Sequence, residues 1–203
     1  HRTAMFISLE SSPLQAPRAT APSLPSRRSS LGLLTAERPA NRLLAALPAC
    51  DWTHLSQHME RVEMPLGLVL YESGDDMSHV YFPTTAIVSL LNITASGDCA
   101  EFATVGNEGL VGLALLTGGM STTGRAVVQS AGQGHRLPRQ VLVEELNAGG
   151  SVMQLLLRYT QALLTQVAHT ALCNRHHAVE QQVSRLILQN LDRVQGNSLC
   201  MTQ

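Results

Sequence analysis

Between residues 67 and 146 the chain alternates short apolar runs with polar turns that carry glycine. The clearest case is residues 67–83, where apolar runs at 68–71 and 80–82 flank a polar turn at 73–78 opened by Gly74. That pattern predicts a strand, a tight turn and a returning strand. Runs at 87–93, 99–105, 125–128 and 135–137 keep the rhythm, and Gly97-Asp98 marks a hairpin turn between the first two. Short strands punctuated this regularly predict an all-β barrel or jelly roll. Residues 109–116 are the exception, apolar and suited to one helical turn inside the barrel.

From Ser151 the period changes. Val152, Leu156, Tyr159, Leu163, Val167 and Thr170 recur at three- and four-residue spacing, while Gln154, Arg158, Gln161, Thr165 and His169 fill the other face. This is an amphipathic helix of about 23 residues, ~35 Å long, which exceeds what a small barrel needs as cover. Leu155, Ala162 and Leu164 widen the apolar side, so the helix is expected to pair with its twin in a homodimer through Val152, Leu156, Tyr159, Leu163, Val167 and Thr170. The pattern restarts at Val179 and runs to Val194, where Gln195-Gly196-Asn197 ends a second helix. Upstream, residues 41–47 and 51–59 read as two short helices broken by Pro48, with Asp51 as the N-cap of the second. Residues 1–38 carry Pro13, Pro17, Pro22 and Pro25 among Ser, Ala and Arg. They offer too little apolar surface to offset ordering entropy, and a disordered tail is expected.

Composition sharpens this picture in three respects. With 203 residues, 44% hydrophobic and 3% aromatic, the chain suits one globular core built on Leu, Val, Ala and Ile. The net charge of −1 hides a gradient, because residues 51–110 hold nine carboxylates against Arg61 alone, while residues 125–203 hold seven arginines. A polyanion is therefore repelled by the first part and tolerated by the last. Cys50, Cys99, Cys173 and Cys200 lie far apart and form no metal or disulfide framework, so they read as buried reduced thiols. No apolar run approaches the ~20 residues of a membrane span or the length of a signal peptide, which predicts a cytoplasmic protein.

The order of elements resembles the Crp/Fnr family of bacterial transcription regulators. The residues that carry the resemblance are Gly67, Tyr71, Gly74 and Asp75 leading into Val80-Tyr81-Phe82-Pro83, then the glycine turn between Gly109 and Gly119. The long helix entering Cys173-Asn174-Arg175-His176-His177 and the segment from Val179 to Leu188 complete the match, over about residues 40–203. The resemblance implies a mainly β plus α fold: a double-stranded β-helix (a cyclic-nucleotide-binding-like jelly roll) followed by a long dimerisation helix. It divides the chain into a tail (1–38), a sensor domain (39–147), a dimerisation helix (148–175) and the start of a truncated DNA-binding domain (176–203). In many relatives Thr-Gln stands just before a winged helix-turn-helix, and here Thr202-Gln203 closes the chain, which opens on His1 rather than Met. The chain is accordingly expected to be part of a longer protein whose missing C-terminal domain binds promoter DNA.

Relatives that bind cyclic AMP carry a Gly-Glu-Leu turn whose Glu accepts a ribose hydroxyl, and an Arg further on that pairs with the cyclic phosphate. The matching turn here is Gly112-Leu113-Ala114, and Arg125 is displaced by two or three residues from the Arg position, which falls near Thr122 or Thr123. Losing both contacts, at about 1.5–3 kcal/mol per charged hydrogen bond, excludes tight cyclic AMP binding. Gly112, Leu113, Ala114, Ser121, Thr122, Thr123 and Arg125 remain candidates for the pocket of some other, unknown small-molecule effector. The same residues also read as a plain exposed loop on a β scaffold.

Chemistry of other kinds finds little support. His54 and His58 share a helix face without a third ligand, and the His-x-His…Glu pattern of a cupin metalloenzyme is missing, so neither metal nor other cofactor is expected. No cysteine lies in residues 1–49 to hold an iron–sulfur cluster, no nucleophile elbow is present, and Glu108 beside Gly109 reads as a turn acid. His176 and His177 read as hinge packing. Arg175, Arg185 and Arg193 read as a solvated helix surface with Glu180 and Asp192 as partners, or as phosphate contacts in a full regulator. The expected protein is thus an effector sensor and not an enzyme. A ligand-free interaction module is the alternative, and a cupin-like metalloenzyme the remote one.

Overall fold

In the computed structural model, residues 4–8, 39–93, 99–119, 122–193 and 198–202 are described. Two antiparallel sheets form the barrel. One holds β2 (Glu60–Met64), β8 (Gly132–Pro138) and β4 (His79–Pro83) in the order β2-β8-β4. The other holds β3 (Val69–Tyr71), β7 (Gly124–Ser130), β5 (Ile87–Ile93) and β6 (Cys99–Val105) in the order β3-β7-β5-β6. Inward-facing Met64, Val88, Leu90, Ala103, Val105, Ala126 and Val128 fill the space between them with little aromatic content. The architecture is the expected double-stranded β-helix followed by a long helix.

The opening hairpin is corrected. β3 pairs with β7 and β4 pairs with β8, so the polar stretch between them carries the chain from one sheet to the other and does not close a hairpin. The β5–β6 hairpin is present, from Val88 opposite Val105 to Ile93 opposite Cys99 with a one-residue register shift between Leu90 and Leu91, and its turn at Gly97-Asp98 lies outside the described residues. Where β4 hands over to β5 and β7 to β8, the two crossings run side by side. There the Gln133 carbonyl accepts the N–H of Thr84 at 2.8 Å and of Thr85 at 3.1 Å, and the Thr84 hydroxyl at 2.9 Å.

Helices pack on the outside of the barrel. α1 (Arg42–Ala45) is capped by Asn41, whose side-chain oxygen accepts the Leu44 N–H at 3.0 Å. α2 (Ala49–Ser56) starts after Pro48, so Asp51 sits inside its first turn and is not the N-cap. Its carboxylate instead accepts the hydroxyl of Ser151. α3 (Arg139–Ala148) replaces the end of the expected strand region and stops at Gly149, whose φ of 70° is left-handed. α4 spans Ser151–His176, 26 residues and ~39 Å at 1.5 Å per residue. α5 (Val179–Leu191) follows after the extended pair His177-Ala178, with the Gln181 side chain accepting the Ala178 N–H at 3.2 Å.

β1 (Ala4–Ser8) pairs antiparallel with β9 (Ser198–Thr202), Phe6 opposite Cys200. This corrects the reading of 1–38 as a wholly disordered tail at its first described residues: a terminal apolar run is ordered when a complementary strand ties it down. Residues 9–38 lie outside the described part. Cys50 and Cys99 are exposed and Cys173 is half-buried, contrary to the expectation of buried thiols. No described helix is long and apolar enough to cross a membrane.

Candidate functional site

The glycine turn that leaves β6 is where barrel and helices converge. Gly106-Asn107-Glu108-Gly109 is closed by the Gly109 N–H on the Gly106 carbonyl at 3.2 Å. It is also held from several sides. The Asn41 side-chain amide donates to the carbonyls of Gly109 (2.9 Å) and Pro83 (2.8 Å), and the Arg42 N–H donates to the Asn107 carbonyl at 2.6 Å. Val111 and Tyr81 exchange both backbone hydrogen bonds, at 2.8 and 2.9 Å, which stitches the segment onto β4.

Besides α1, α4 and the residue just past α5 touch this turn, each at a glycine. Tyr159 of α4 donates its hydroxyl to the Leu110 carbonyl at 3.0 Å, and its ring lies against Gly109, where a Cβ would come within 2.6 Å of ring carbon Cε2. Burial holds the Tyr159 hydroxyl far above the ordinary tyrosine range, so it is a permanent donor. Burial likewise pushes the neighbouring Tyr71 up to about 12. Arg193, just past α5, lies against Gly106: its Nε donates to Glu108 Oε1 at 2.6 Å, and Nη2 donates to the Thr104 carbonyl at 3.3 Å. The same carbonyl accepts from Gln166 Nε2 of α4 at 3.2 Å. Arg42, Glu108, Gln189, Asp192 and Arg193 line a recess of about 170 Å³ beside the turn.

The expected pocket residues fall into two groups. Gly112 is buried with φ 108°, and a Cβ there would meet Val80 Cγ1 at 3.0 Å, so only glycine suits the position. Leu113 and Ala114 open a 3-10 turn (Leu113–Thr117) and pack onto the apolar core, Leu113 between the sheets and Ala114 beneath the helices. The second group lies at the β3 edge. Thr122 accepts the Gly74 N–H on its carbonyl at 2.8 Å and the Gly124 N–H on its hydroxyl at 3.2 Å, and Thr123 is exposed. Arg125 Nε stands 3.1 Å from Glu72 Oε1, both part-exposed. Ser121 lies outside the described residues.

Four of the residues expected at a dimer interface are corrected. Val152, Leu156 and Leu163 are 4%, 3% and 7% exposed, and with Tyr159 they are spent on the protein's own barrel. Val167 packs beside them, and Thr170 accepts from Arg185 Nη1 at 3.1 Å. The large apolar residues of α4 left outside are Leu157 (55% exposed), Leu164 (58%) and Leu172 (58%). Arg193 is also corrected, since it pairs with Glu108 and is not a solvated surface residue. Sequence reasoning passed over Asn41 and the Arg193–Glu108 pair because their partners lie 68 and 85 residues away. The signal that was available was the glycine at each end of the turn.

His54 and His58 meet edge-on at 5.5 Å, with His54 Nε2 3.2 Å from Glu145. Among the described residues no group of three His, Cys, Asp or Glu could hold a metal ion.

No family model and no curated protein matches the chain in sequence. Solved structures do match in fold. The c-di-GMP responsive global regulator CLP of Xanthomonas campestris is similar with a TM-score of 0.57 and 13% identity, over 69% of this chain and 70% of that one. FixK2 of Bradyrhizobium japonicum is similar with a TM-score of 0.56 and 16% identity, over 64% of this chain and 65% of that one. A candidate cyclic nucleotide-binding protein from Geobacter metallireducens matches with a TM-score of 0.52 and 16% identity, over 64% of this chain and 93% of that one. The chain therefore shares its fold with these proteins, a cyclic-nucleotide-binding-like β-roll followed by a long helix.

Proposed function

We propose that this chain is the effector-sensing portion of a cytoplasmic Crp/Fnr-type transcription regulator, whose promoter DNA is read by a domain that begins in residues 176–203. The observation that carries the reading is Tyr159: a side chain of the long helix is bonded to Leu110 and seated on Gly109, at the turn that leads into the effector loop. A displaced loop displaces the helix, which is the coupling a sensor requires. The shared fold with the c-di-GMP responsive regulator of Xanthomonas campestris supports this assignment, and that ligand is that protein's own.

The effector is not cyclic AMP. Leu113 brings no carboxylate to the turn, and the Arg125 guanidinium is paired with Glu72. The candidate rim is instead Thr122, Thr123 and Arg125, facing Glu72 and Gly74. Calorimetry of the chain with cyclic AMP and cyclic GMP is expected to show no micromolar binding, and a micromolar dissociation constant for either would overturn this assignment.

Dimerisation runs along a face other than the one the spacing first suggests. Leu157, Gln161, Leu164, Ala168, Ala171 and Arg175 are all exposed on α4 and follow each other at alternating four- and three-residue steps. Such spacing makes a seam for a parallel copy of the same helix. α5 exposes Val179 (70%), Val183 (47%) and Leu188 (62%), a surface suited to the rest of a DNA-binding domain. Reading the coding sequence past Gln203 tests the regulator directly: a helix-turn-helix is expected. A stop codon there would favour the interaction module, which the internally paired Thr122 and Arg125 also suit.

A further inference from the structure

We propose that Arg193 and Glu108 form a clasp that fastens α5 to the glycine turn directly, separately from the contact made by α4. The meaning of that turn as the gate of an effector loop rests on the sensor reading above, whereas the clasp itself does not. The Arg193 side chain is 11% exposed and that of Glu108 34%, so the pair is shielded from the screening that makes surface ion pairs weak. Glu108 Oε1 takes the Arg193 Nε at 2.6 Å and the Gly106 N–H at 3.3 Å, which binds the guanidinium to the conformation of the turn. Arg193 Nη1 reaches back to the Gln189 carbonyl at 3.0 Å, so the guanidinium closes the end of α5 and the turn together.

Shape adds a second, independent restraint. A Cβ on Gly106 would stand 2.8 Å from Arg193 Cδ and 2.9 Å from Cγ, so the arginine stem occupies the room that glycine leaves. The turn cannot rearrange without moving Arg193. At its other end α5 joins α4 through the extended residues His177 (φ −100°, ψ 145°) and Ala178 (φ −64°, ψ 158°). The His177 N–H still closes α4 on the Cys173 carbonyl at 3.0 Å, but the Ala178 N–H leaves the helical ladder for the Gln181 side chain at 3.2 Å. The bond from Arg185 Nη1 to the Thr170 hydroxyl, 3.1 Å, bridges the two helices near that joint. α5 is thus built as an arm with a joint at one end and a clasp at the other. Rearrangement of Gly106–Gly109 opens the clasp and frees the arm to turn.

Hydrogen–deuterium exchange of the whole chain, read by mass spectrometry, tests this with two single variants of opposite chemistry. Arg193→Met removes the charge and keeps the stem, while Gly106→Ala keeps the charge and wedges the stem away. Both are expected to speed exchange over residues 179–191 and 106–110 by about tenfold or more, with residues 152–167 of α4 as protected as in the native chain. The charge-reversed pair Glu108→Arg with Arg193→Glu is expected to recover part of the lost α5 protection relative to either single reversal. Unchanged α5 exchange in both variants, or equal loss of protection along α4 and α5, would overturn the clasp. The readout needs neither effector nor DNA, so its failure leaves the sensor reading standing, and failure of the sensor reading leaves the clasp standing.

Discussion

Tyr159 shows how much a single hydroxyl can carry when it is buried. Its bond to the Leu110 carbonyl fastens a helix to a loop, and replacing it with Phe keeps the ring on Gly109 but strands that carbonyl. Tyr159→Phe is expected to lower unfolding free energy by about 1–2 kcal/mol in urea titration, the cost of one lost bond with its acceptor left unpaired. Gly109→Ala should cost more, because the ring must move off the turn. Two histidines contribute to the acid limb of stability. Burial lowers His135, with Arg61 adding to the effect, and burial lowers His79, where Arg136 outweighs the opposing Glu60. A folded-state value below the unfolded one of about 6.5 means that the unfolded chain takes up the proton first. Stability is therefore full above that pH and falls as the pH drops through 6.5 toward the folded values. Urea midpoints measured from pH 8 to pH 5 should show this decline, and His135→Gln should make it shallower.

At the scale of elements, α4 has two apolar stripes with different tasks. Leu156 belongs to the stripe on the barrel, and Leu156→Ala should cost about 2–5 kcal/mol as a cavity in the core. Leu157 and Leu164 belong to the outer stripe. The double variant Leu157→Glu, Leu164→Glu is expected to sediment as a monomer with near-native thermal stability, and a persisting dimer would move the interface elsewhere. Periodicity alone reveals that a helix has an apolar face, but not whether a barrel or a twin covers it. That is why residues 151–176 were legible as a long helix while the role of Val152, Leu156, Tyr159 and Leu163 was not. Strand positions at 87–93 and 99–105 were legible because a local turn joins them. β3 and β4 were placed nearly correctly but mispaired, since partners 50 or more residues away leave no local trace. α3 escaped notice because the short apolar run Val141-Leu142-Val143 looks like the strand runs before it.

For the whole molecule, cohesion between the two sheets rests on the corner at Gln133, where backbone groups of Thr84 and Thr85 converge on one carbonyl. Gly132 faces the Thr85–Ala86 backbone there, and a Cβ would lie 2.7 Å from Ala86 Cα. Gly132→Ala is therefore expected to destabilise the barrel by more than a typical surface glycine substitution, read as a lower melting temperature with loss at both sheets together. The site was partly legible: the glycines announced a tight turn, whereas the side chains that grip it come from distant elements. The embedding of Val152, Leu156 and Leu163 in the barrel has a practical corollary for anyone building hybrids. A graft that ends at residue 150 would carry a raw hydrocarbon wound on its underside, whereas a splice placed after Arg193 transplants barrel and spindle as one sealed cartridge.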